Sequence, residues 1–280
     1  MDEKRSPHSI HQIFTAICFL LFFAISGSFL YCFSVEDPKP GTLKTIRIDS
    51  DTELRFRWCP RGTFQMGSPL DEKDRDAEEI PHRVTFTAGF WILETEITQK
   101  IYQAIMNDNP SQFRGASHPV DSVSWEEANR FVQKIKDRLS KTSEGEFALP
   151  TEAQWEYACR AGSAAPWSGD LKDIAWFGEN RDTGSTHPVG TKNANAWGIF
   201  DMHGNLWEWT ADYYYDYKPD PVINPRGPIR SDSGVRIDRG GCWDSTPDYC
   251  RSAHRGVYEP DRKSPFVGFR IVLNPLPHKL

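Results

Sequence analysis

The sequence predicts one large domain that starts with short β-strands, passes through three helices and ends in a half made mostly of loops. β-Rich runs at 43–48 and 56–59 favour strands, and the Pro-Arg-Gly segment at 60–62 is typical of a turn. After Gly162 the chain is rich in Trp, Tyr, Gly, Asn and Pro and has few long periodic runs. That composition predicts loops and short strands held together by side-chain contacts.

Three helices have recognisable start signals. The first follows Thr98, whose hydroxyl can cap it, and stops at the Asn-Pro pair at 109–110. The other two each open with a capping box, in which two side chains three residues apart satisfy backbone N–H groups. The two boxes are Ser124 with Glu127 and Thr151 with Gln154. Helices are therefore expected directly after Thr98, Ser124 and Thr151.

The composition is that of a folded protein with one sizeable core. The chain has 280 residues, of which 38% are hydrophobic and 13% aromatic, and its net charge is −6. Charges of both signs are interspersed along the body, whereas binding to a phosphate backbone favours a basic face. Nucleic acid is therefore not expected as a partner.

An apolar segment at 13–33 is long enough to cross a bilayer as a helix and carries no charged side chain. Lys and Arg precede it and acidic residues follow it, so residues 1–12 are expected in the cytoplasm and the body outside. We expect a single-pass membrane anchor or uncleaved signal, the alternative being a cleaved signal peptide and a secreted protein. A linker at 34–42 and one folded domain at 43–275 follow.

The cysteines divide between these two regions. Of six in the chain, two lie in the apolar segment and four in the body. On the predicted topology the body meets an oxidising compartment, where disulfides persist. The body cysteines are Cys59, Cys159, Cys242 and Cys250. Four cysteines allow three pairings, and spacing alone leaves all three open.

Charged and aromatic side chains of the second half have a structural interpretation and a functional one. Arg251, Arg255 and Arg270 are expected to form ion pairs that organise loops, rather than an anion site. The aromatic run at 207–215 is expected mainly in the core, with a peptide or sugar groove as the alternative. The body histidines, His254 among them, show no metal-ligand spacing and are expected to be capped or at the surface.

Several sequence blocks carry recognisable motifs. They read FQMGS at 64–68, PHRV at 81–84, ETEIT at 94–98, LPTEAQWEY at 149–157, DMHGNLWEW at 201–209, GGCW at 240–243, CRSAHR at 250–255 and GFR at 268–270. In this order they resemble the formylglycine-generating enzyme, or sulfatase-modifying factor, family over roughly Thr52 to Val272. The resemblance implies an α+β, C-type-lectin-like fold with little regular secondary structure.

The resemblance also implies structural calcium. Members of the family bind it through a side chain at the position of Asp201, backbone carbonyls at Gly204 and Leu206, and the carboxylate at Glu208. Hard oxygen ligands of this kind suit calcium. From the residues alone, a tight turn with carboxylates bonded to backbone N–H groups is the alternative. A second family calcium site lies near Asn180, where this chain is shortened.

The family oxidises a substrate cysteine to formylglycine, using two cysteines five positions apart that hold copper as thiolates. In this chain those positions fall on Ser245 and Cys250. A serine hydroxyl is a poor Cu(I) ligand, so the usual copper site is not expected. Cys242 stands where the family usually has a serine.

Two interpretations of Cys250 follow from the resemblance. In the structural one it forms a disulfide with Cys159, although the family's bond from this helix normally ends where this chain has Ser252. In the functional one Cys242 and Cys250 form a relocated redox or copper pair and are the candidate catalytic residues. The disulfide is favoured.

Three classes of function remain open. The leading expectation is a membrane-anchored, extracytoplasmic domain that acts on or binds another protein or peptide, with the usual cysteine oxidation in doubt. The alternatives are an active oxidoreductase that generates formylglycine on sulfatases and a non-catalytic C-type-lectin-like binding module. A different small-molecule oxidoreductase is a further possibility. Fold membership alone does not decide among them.

Overall fold

The structure is a computed structural model that describes residues 37–139, 144–180 and 184–276. Five strands form its largest sheet: β1 (Leu43–Arg47), β2 (Glu53–Cys59), β5 (Phe90–Leu93), β6 (Gly145–Ala148) and β12 (Val272–Pro275). They pair antiparallel in the order β1-β2-β5-β12-β6. In β2, buried Leu54 and Phe56 alternate with exposed Glu53 and Arg55, so the sequence pattern sets which face enters the core.

Two smaller sheets accompany the first. One contains β3 (Gly62–Met66), β4 (His82–Phe86) and β8 (Val222–Ile223). The other contains β7 (Trp207–Tyr213), β9 (Arg236–Arg239), β10 (Gly256–Tyr258) and β11 (Val267–Gly268), in the order β10-β9-β7-β11. Its two central strands, β7 and β9, are almost entirely buried. These strands lead directly into the segments that carry the candidate site.

The three predicted helices are confirmed. They are α1 (Gln99–Met106), α2 (Trp125–Leu139) and α3 (Glu152–Arg160), and a single turn, α4 (Leu171–Ile174), follows. Thr98 caps α1 by accepting from the Ile101 N–H group, after which Asn107 ends the helix in the left-handed region. Both predicted capping boxes are present, at α2 and α3. Local hydrogen bonds therefore set where each of the three helices begins.

The C-terminal half is irregular, as its composition predicts. The chain runs between α4 and β7 with no regular element among its described residues, apart from an isolated bridge between Trp176 and Gly204. The aromatic residues of β7 serve the core: Trp209 is fully buried and its indole N–H donates to the Val123 carbonyl. The core interpretation of Trp207 and Trp209 is confirmed, and Tyr213 to Tyr215 are only partly buried.

The described part of the predicted linker is packed against the domain. The Gly41 N–H group donates to the Trp58 carbonyl at 2.9 Å, and the Trp58 N–H group donates to Thr42. The predicted membrane segment at 13–33 lies outside the described residues. Within the described ranges, no helix is long and apolar enough to cross a membrane.

Candidate cleft site and buried carboxylate network

A double-glycine turn after β9 positions the first candidate cysteine. Gly240 and Gly241 have φ values of +102° and +74°, which L side chains rarely adopt. A Cβ at Gly241 would lie 2.7 Å from the Cys250 sulfur, so the turn also needs glycine for close packing. The turn places Cys242 next to the short 3₁₀ helix that ends at Cys250.

Cys242 faces Ser245 in this turn. The Cys242 Sγ atom lies 3.3 Å from Ser245 Oγ, and Ser245 Oγ accepts the Cys242 N–H group at 2.9 Å. The Ser245 N–H group donates to the Cys242 carbonyl in return. The two residues therefore form a closed cysteine–serine pair in place of two thiols at the family spacing.

Both thiols near the turn are protonated at neutral pH. Burial raises the pKa of Cys242 to about 11, against smaller opposing effects of the Ser245 hydrogen bonds. Burial, and then the neighbouring Cys242, raises the pKa of Cys250. Metal binding and nucleophilic chemistry need the thiolate. The structure brings the predicted residues Cys242, Ser245 and Cys250 together, but in an environment that disfavours thiolates.

The predicted Cys159–Cys250 disulfide is not formed, since all four cysteines in the described residues are free. The Cys159 sulfur instead lies 3.5 Å from Ser252 Oγ and 3.6 Å from His203 Nε2. His203 accepts at Nε2 from the Ser168 N–H group and donates at Nδ1 to the Cys250 carbonyl at 2.7 Å. Ser252 and His203 thus take the positions beside Cys159 that a second cysteine would need.

Glu208, one of the predicted calcium ligands, forms a buried ion pair with Arg270. Glu208 accepts from Arg270 through both carboxylate oxygens at 2.6 Å and from the Trp155 indole at 2.9 Å. Asp201 accepts the Gly190 N–H group at Oδ2, while its Oδ1 is buried and has no partner among the described residues.

The remaining predicted ligands are backbone groups and one distant amide. Gly204 has a positive φ of +78°, and a Cβ there would lie 2.0 Å from the Trp176 carbonyl oxygen, so both the backbone conformation and the close packing favour glycine. Leu206 is fully buried and continues into β7. Asn180 caps its own turn: its side chain accepts from the Phe177 N–H group and donates to the Ala175 carbonyl. Both atoms of the Asn180 amide are therefore already engaged.

A third carboxylate, Glu96, belongs to the same network and was missed by sequence reasoning. It is fully buried, and its Oε1 accepts from Asn205, while its Oε2 has no partner in the described part of the chain. Burial, and then the charge of Asp201, raises its pKa well above the usual value. Burial likewise raises the pKa of Asp201 to about 6. No periodic pattern in ETEIT distinguishes Glu96, so only the tertiary contact reveals it.

Among the four predicted calcium ligands, Glu208 already accepts three hydrogen bonds and keeps about one free lone-pair position. Both Glu208 oxygens are engaged by Arg270, whereas Asp201 and Glu96 each have a carboxylate oxygen that receives no N–H or O–H donor from another side chain or the backbone in the described residues, and the two carboxyl groups lie within hydrogen-bonding contact of each other. With all three carboxylates ionised, three negative charges face the one positive charge of Arg270. Either protons on the buried carboxyls or a divalent cation must offset the excess. Calcium at Asp201, Gly204, Leu206 and Glu208 stays a prediction, and Glu96 offers a further carboxylate oxygen in the same network.

The predicted ion pairs of the arginines are present. Arg251 donates to both oxygens of Glu79 at 2.7 and 2.8 Å, and Arg255 binds Glu152 in the same two-pronged way. All four side chains are buried, and each charge is compensated by a specific partner. These pairs join distant loops.

Aromatic rings pack together near the cysteine–serine pair. The His254 ring lies 5.6 Å from Trp207 and 4.9 Å from Tyr249, measured between centroids. Tyr249 is 45% exposed, so this group of rings reaches solvent. Asp238, in β9, is fully buried, and neither of its carboxylate oxygens has a hydrogen-bond partner from another residue in the described ranges. Burial raises the pKa of Asp238 to about 8.

These features define an α+β domain of small sheets and long ordered loops, with a buried cysteine–serine pair in the loop that follows β9. The chain belongs to the FGE-sulfatase family: residues 52–275 match its description, sulfatase-modifying factor enzyme 1-like domain. The match confirms the family resemblance that the sequence motifs indicated.

Known proteins resemble the chain over different lengths. Bovine formylglycine-generating enzyme is 32% identical over 180 residues, covering 57% of this chain and 45% of the enzyme. The chaperone protein LppX of Paenibacillus barcinonensis is 28% identical over 235 residues, covering 66% of this chain and 80% of LppX. The solved structure of Treponema denticola variable protein 1 has a TM-score of 0.75 and 28% identity, covering 84% of this chain and 99% of that protein.

Several curated relatives are longer proteins, and the aligned region makes up 24% to 45% of their length. The comparisons therefore establish the domain family and its fold.

Proposed function

We propose that this chain is an extracytoplasmic, membrane-anchored member of the family that binds another protein or peptide and does not carry out copper-dependent cysteine oxidation. The observation that carries the proposal is the Cys242–Ser245 pair, with its Sγ–Oγ distance of 3.3 Å. A hydroxyl occupies one of the two thiolate positions, and burial keeps the neighbouring thiols protonated. Cu(I) needs soft thiolate ligands, so this arrangement disfavours it.

An exposed tyrosine near the pair supports a binding role. Tyr249 packs against the buried rings of Trp207 and His254 and is itself 45% exposed. Aromatic side chains that combine an apolar ring with a polar atom are common contact residues in interfaces. One relative that matches over most of its length is named a chaperone protein, which favours action on a protein partner.

The membrane anchor at 13–33 is part of this proposal. It rests on the uncharged apolar run and the charges on either side of it. Under this topology the body meets proteins outside the cytoplasm. A sulfatase is the partner class that the family name suggests.

The test is an oxidation assay on the full-length protein. The protein is supplied with copper, reductant and oxygen, and with a Cys-x-Pro-x-Arg peptide of the kind the family modifies. Mass spectrometry then follows conversion of the peptide cysteine to formylglycine. We expect the peptide to be recovered unchanged. Turnover that disappears in the Cys250→Ser variant would establish the oxidoreductase alternative.

A further inference from the structure

A further group of titratable side chains lies near the aromatic rings and is separate from the cysteine–serine pair and the buried carboxylate network. One ligand atom from each of Asp76, Glu79 and His254 lies within 4.8 Å of the others. Asp76 and Glu79 belong to one turn, closed by the Glu79 N–H group and the Asp76 carbonyl at 3.2 Å. His254 follows the 3₁₀ helix far along the chain. We propose that these three residues bind a divalent transition-metal ion, with Zn²⁺ as the best-matched ion.

The ligand types match this ion. Zinc is bound by imidazole nitrogen and carboxylate oxygen at about 2.0–2.2 Å, so ligand atoms around a tetrahedral ion lie about 3.4 Å apart. Small side-chain adjustments bring the three atoms into that range. Imidazole favours zinc over calcium or magnesium, which prefer oxygen ligands alone.

Two contacts hold His254 beside Asp76. Its Nδ1 atom lies 3.1 Å from Asp76 Oδ2, and its backbone carbonyl accepts from Arg239. The Asp76 side chain is 52% exposed, so an ion and its water ligands can reach the group from solvent.

Arg251 does not prevent metal binding by Glu79. It donates to both Glu79 oxygens, and Ser68 also hydrogen-bonds this carboxylate, but a carboxylate has about four lone-pair positions and one remains after these three bonds. Ligating carboxylates in metal sites are commonly held by such outer hydrogen bonds. Arg251 therefore orients Glu79 as a ligand.

The charges around Arg251 are a second observation that favours cation binding at this group. Glu72 shares Arg251 with Glu79, its side chain is only 3% exposed, and its Oε2 is buried without a partner in the described residues. Three carboxylates, those of Glu72, Asp76 and Glu79, thus lie near Arg251, which pairs with Glu72 and Glu79, while Arg75 donates to the Ser68 hydroxyl and the Glu79 backbone carbonyl. The excess negative charge, with one buried oxygen unsatisfied, favours a bound cation.

Three protein ligands leave coordination positions open. Zinc sites with three protein ligands and a free position bind water or a substrate atom there. The His254 ring lies against Trp207 and Tyr249, so an ion bound to His254 would lie beside these aromatic rings. This site is independent of the cysteine pair and of the proposed lack of copper chemistry.

The experiment is a Zn²⁺ titration of the full-length protein by calorimetry, after chelator treatment and with excess Ca²⁺ present to fill oxygen-only sites. We expect one Zn²⁺ to bind to the wild type, and His254→Gln and Asp76→Asn each to weaken binding by about tenfold or more. Asp76 is half-exposed, so Asp76→Asn tests the site even where His254→Gln disturbs folding.

Asp74→Asn is the matched control. It removes the same charge from the same segment, and asparagine tolerates the positive φ of +59° at that position. Its affinity for Zn²⁺ should equal that of the wild type. The proposal is overturned when the wild type binds no Zn²⁺ in excess Ca²⁺, or when the wild type and all three variants bind it alike.

Discussion

Arg270 donates hydrogen bonds of 2.6 Å to both carboxylate oxygens of Glu208, where neither side chain reaches solvent. The same guanidinium group donates to the carbonyls of Leu93, Phe200 and Asp201. One side chain thus joins β7, the end of β5 and the loop before β7. This pair also takes up the carboxylate that the family resemblance assigns to calcium.

Arg270→Gln should therefore be strongly destabilising. It leaves Glu208 buried without a charge partner beside two further carboxyls, and breaking a buried pair in this way costs about 3–5 kcal/mol. Urea unfolding measures the loss. Arg262→Gln is the control, because Arg262 is exposed over the Tyr258 ring and its loss should cost no more than about 1 kcal/mol. Equal effects of the two substitutions would contradict the assigned role of Arg270.

Calcium should raise the melting temperature through Asp201 and Glu96. An ion that binds only the folded state stabilises it by mass action, by about 2.7 kcal/mol at 100 times its Kd. We expect Glu96→Gln to remove this calcium dependence. Glu94→Gln, next to it but paired with Arg55 and Arg57, should retain it. A melting curve of the wild type that is unaffected by calcium and by chelator would show that protons, rather than an ion, neutralise this network.

Asp238 should make the protein less stable as the pH rises. Its pKa is raised by burial to about 8, against about 3.9 in an unfolded chain. Between these values the folded state holds a proton that the unfolded state has lost. Its contribution is therefore complete below about pH 4 and is lost towards pH 8, by at most about 1.4 kcal/mol per pH unit.

Asp238→Asn isolates this effect. The free energy of unfolding of the variant, relative to the wild type, should increase with pH through this window and level off above about pH 8. Asp232→Asn, at an exposed loop position, controls for the loss of one carboxylate. A variant-minus-wild-type difference that does not change with pH would show that Asp238 is ionised in the folded protein.

The body should contain four buried thiols and no disulfide. Reductant should leave the melting temperature unchanged, and a maleimide should label Cys59, Cys159, Cys242 and Cys250 only after denaturation, because buried, protonated thiols react slowly. Melting curves with and without reductant check the first result, and peptide mapping without reduction checks the labelling and any cross-link. A Cys159–Cys250 cross-link in the native protein would restore the disulfide that the sequence predicts.

The features of this fold that depend on neighbouring residues were predictable from the sequence, whereas those that depend on contacts between distant segments were not. The caps at Thr98, Ser124 and Thr151 depend on neighbours three residues away, so the sequence alone locates the helix starts. The partners of Cys159 and Glu208 come from distant segments, and no spacing rule identifies them. Ser252 and Arg270 emerge as those partners only once the loops are in place.

The motifs indicated which segments of the candidate site meet, but not which side chains contact one another. The segments around Gly240 and Cys250 do meet, since Gly241 packs against the Cys250 sulfur. The pairing of Cys242 with Ser245 and the approach of His254 to Asp76 depend on loop conformations that composition does not specify. In a fold with few regular elements, side-chain contacts between loops carry this information.

The most direct test of the central claim is the Cu(I) stoichiometry of the full-length protein, measured with a competing chelator under reducing conditions. The wild type should bind no tight Cu(I), because Ser245 stands at one of the two ligand positions. The exchange variant Cys242→Ser/Ser245→Cys, which places thiols five positions apart, should gain one equivalent. One tightly bound Cu(I) in the wild type, lost in Cys242→Ser, would contradict the account and make the relocated cysteine pair the functional centre.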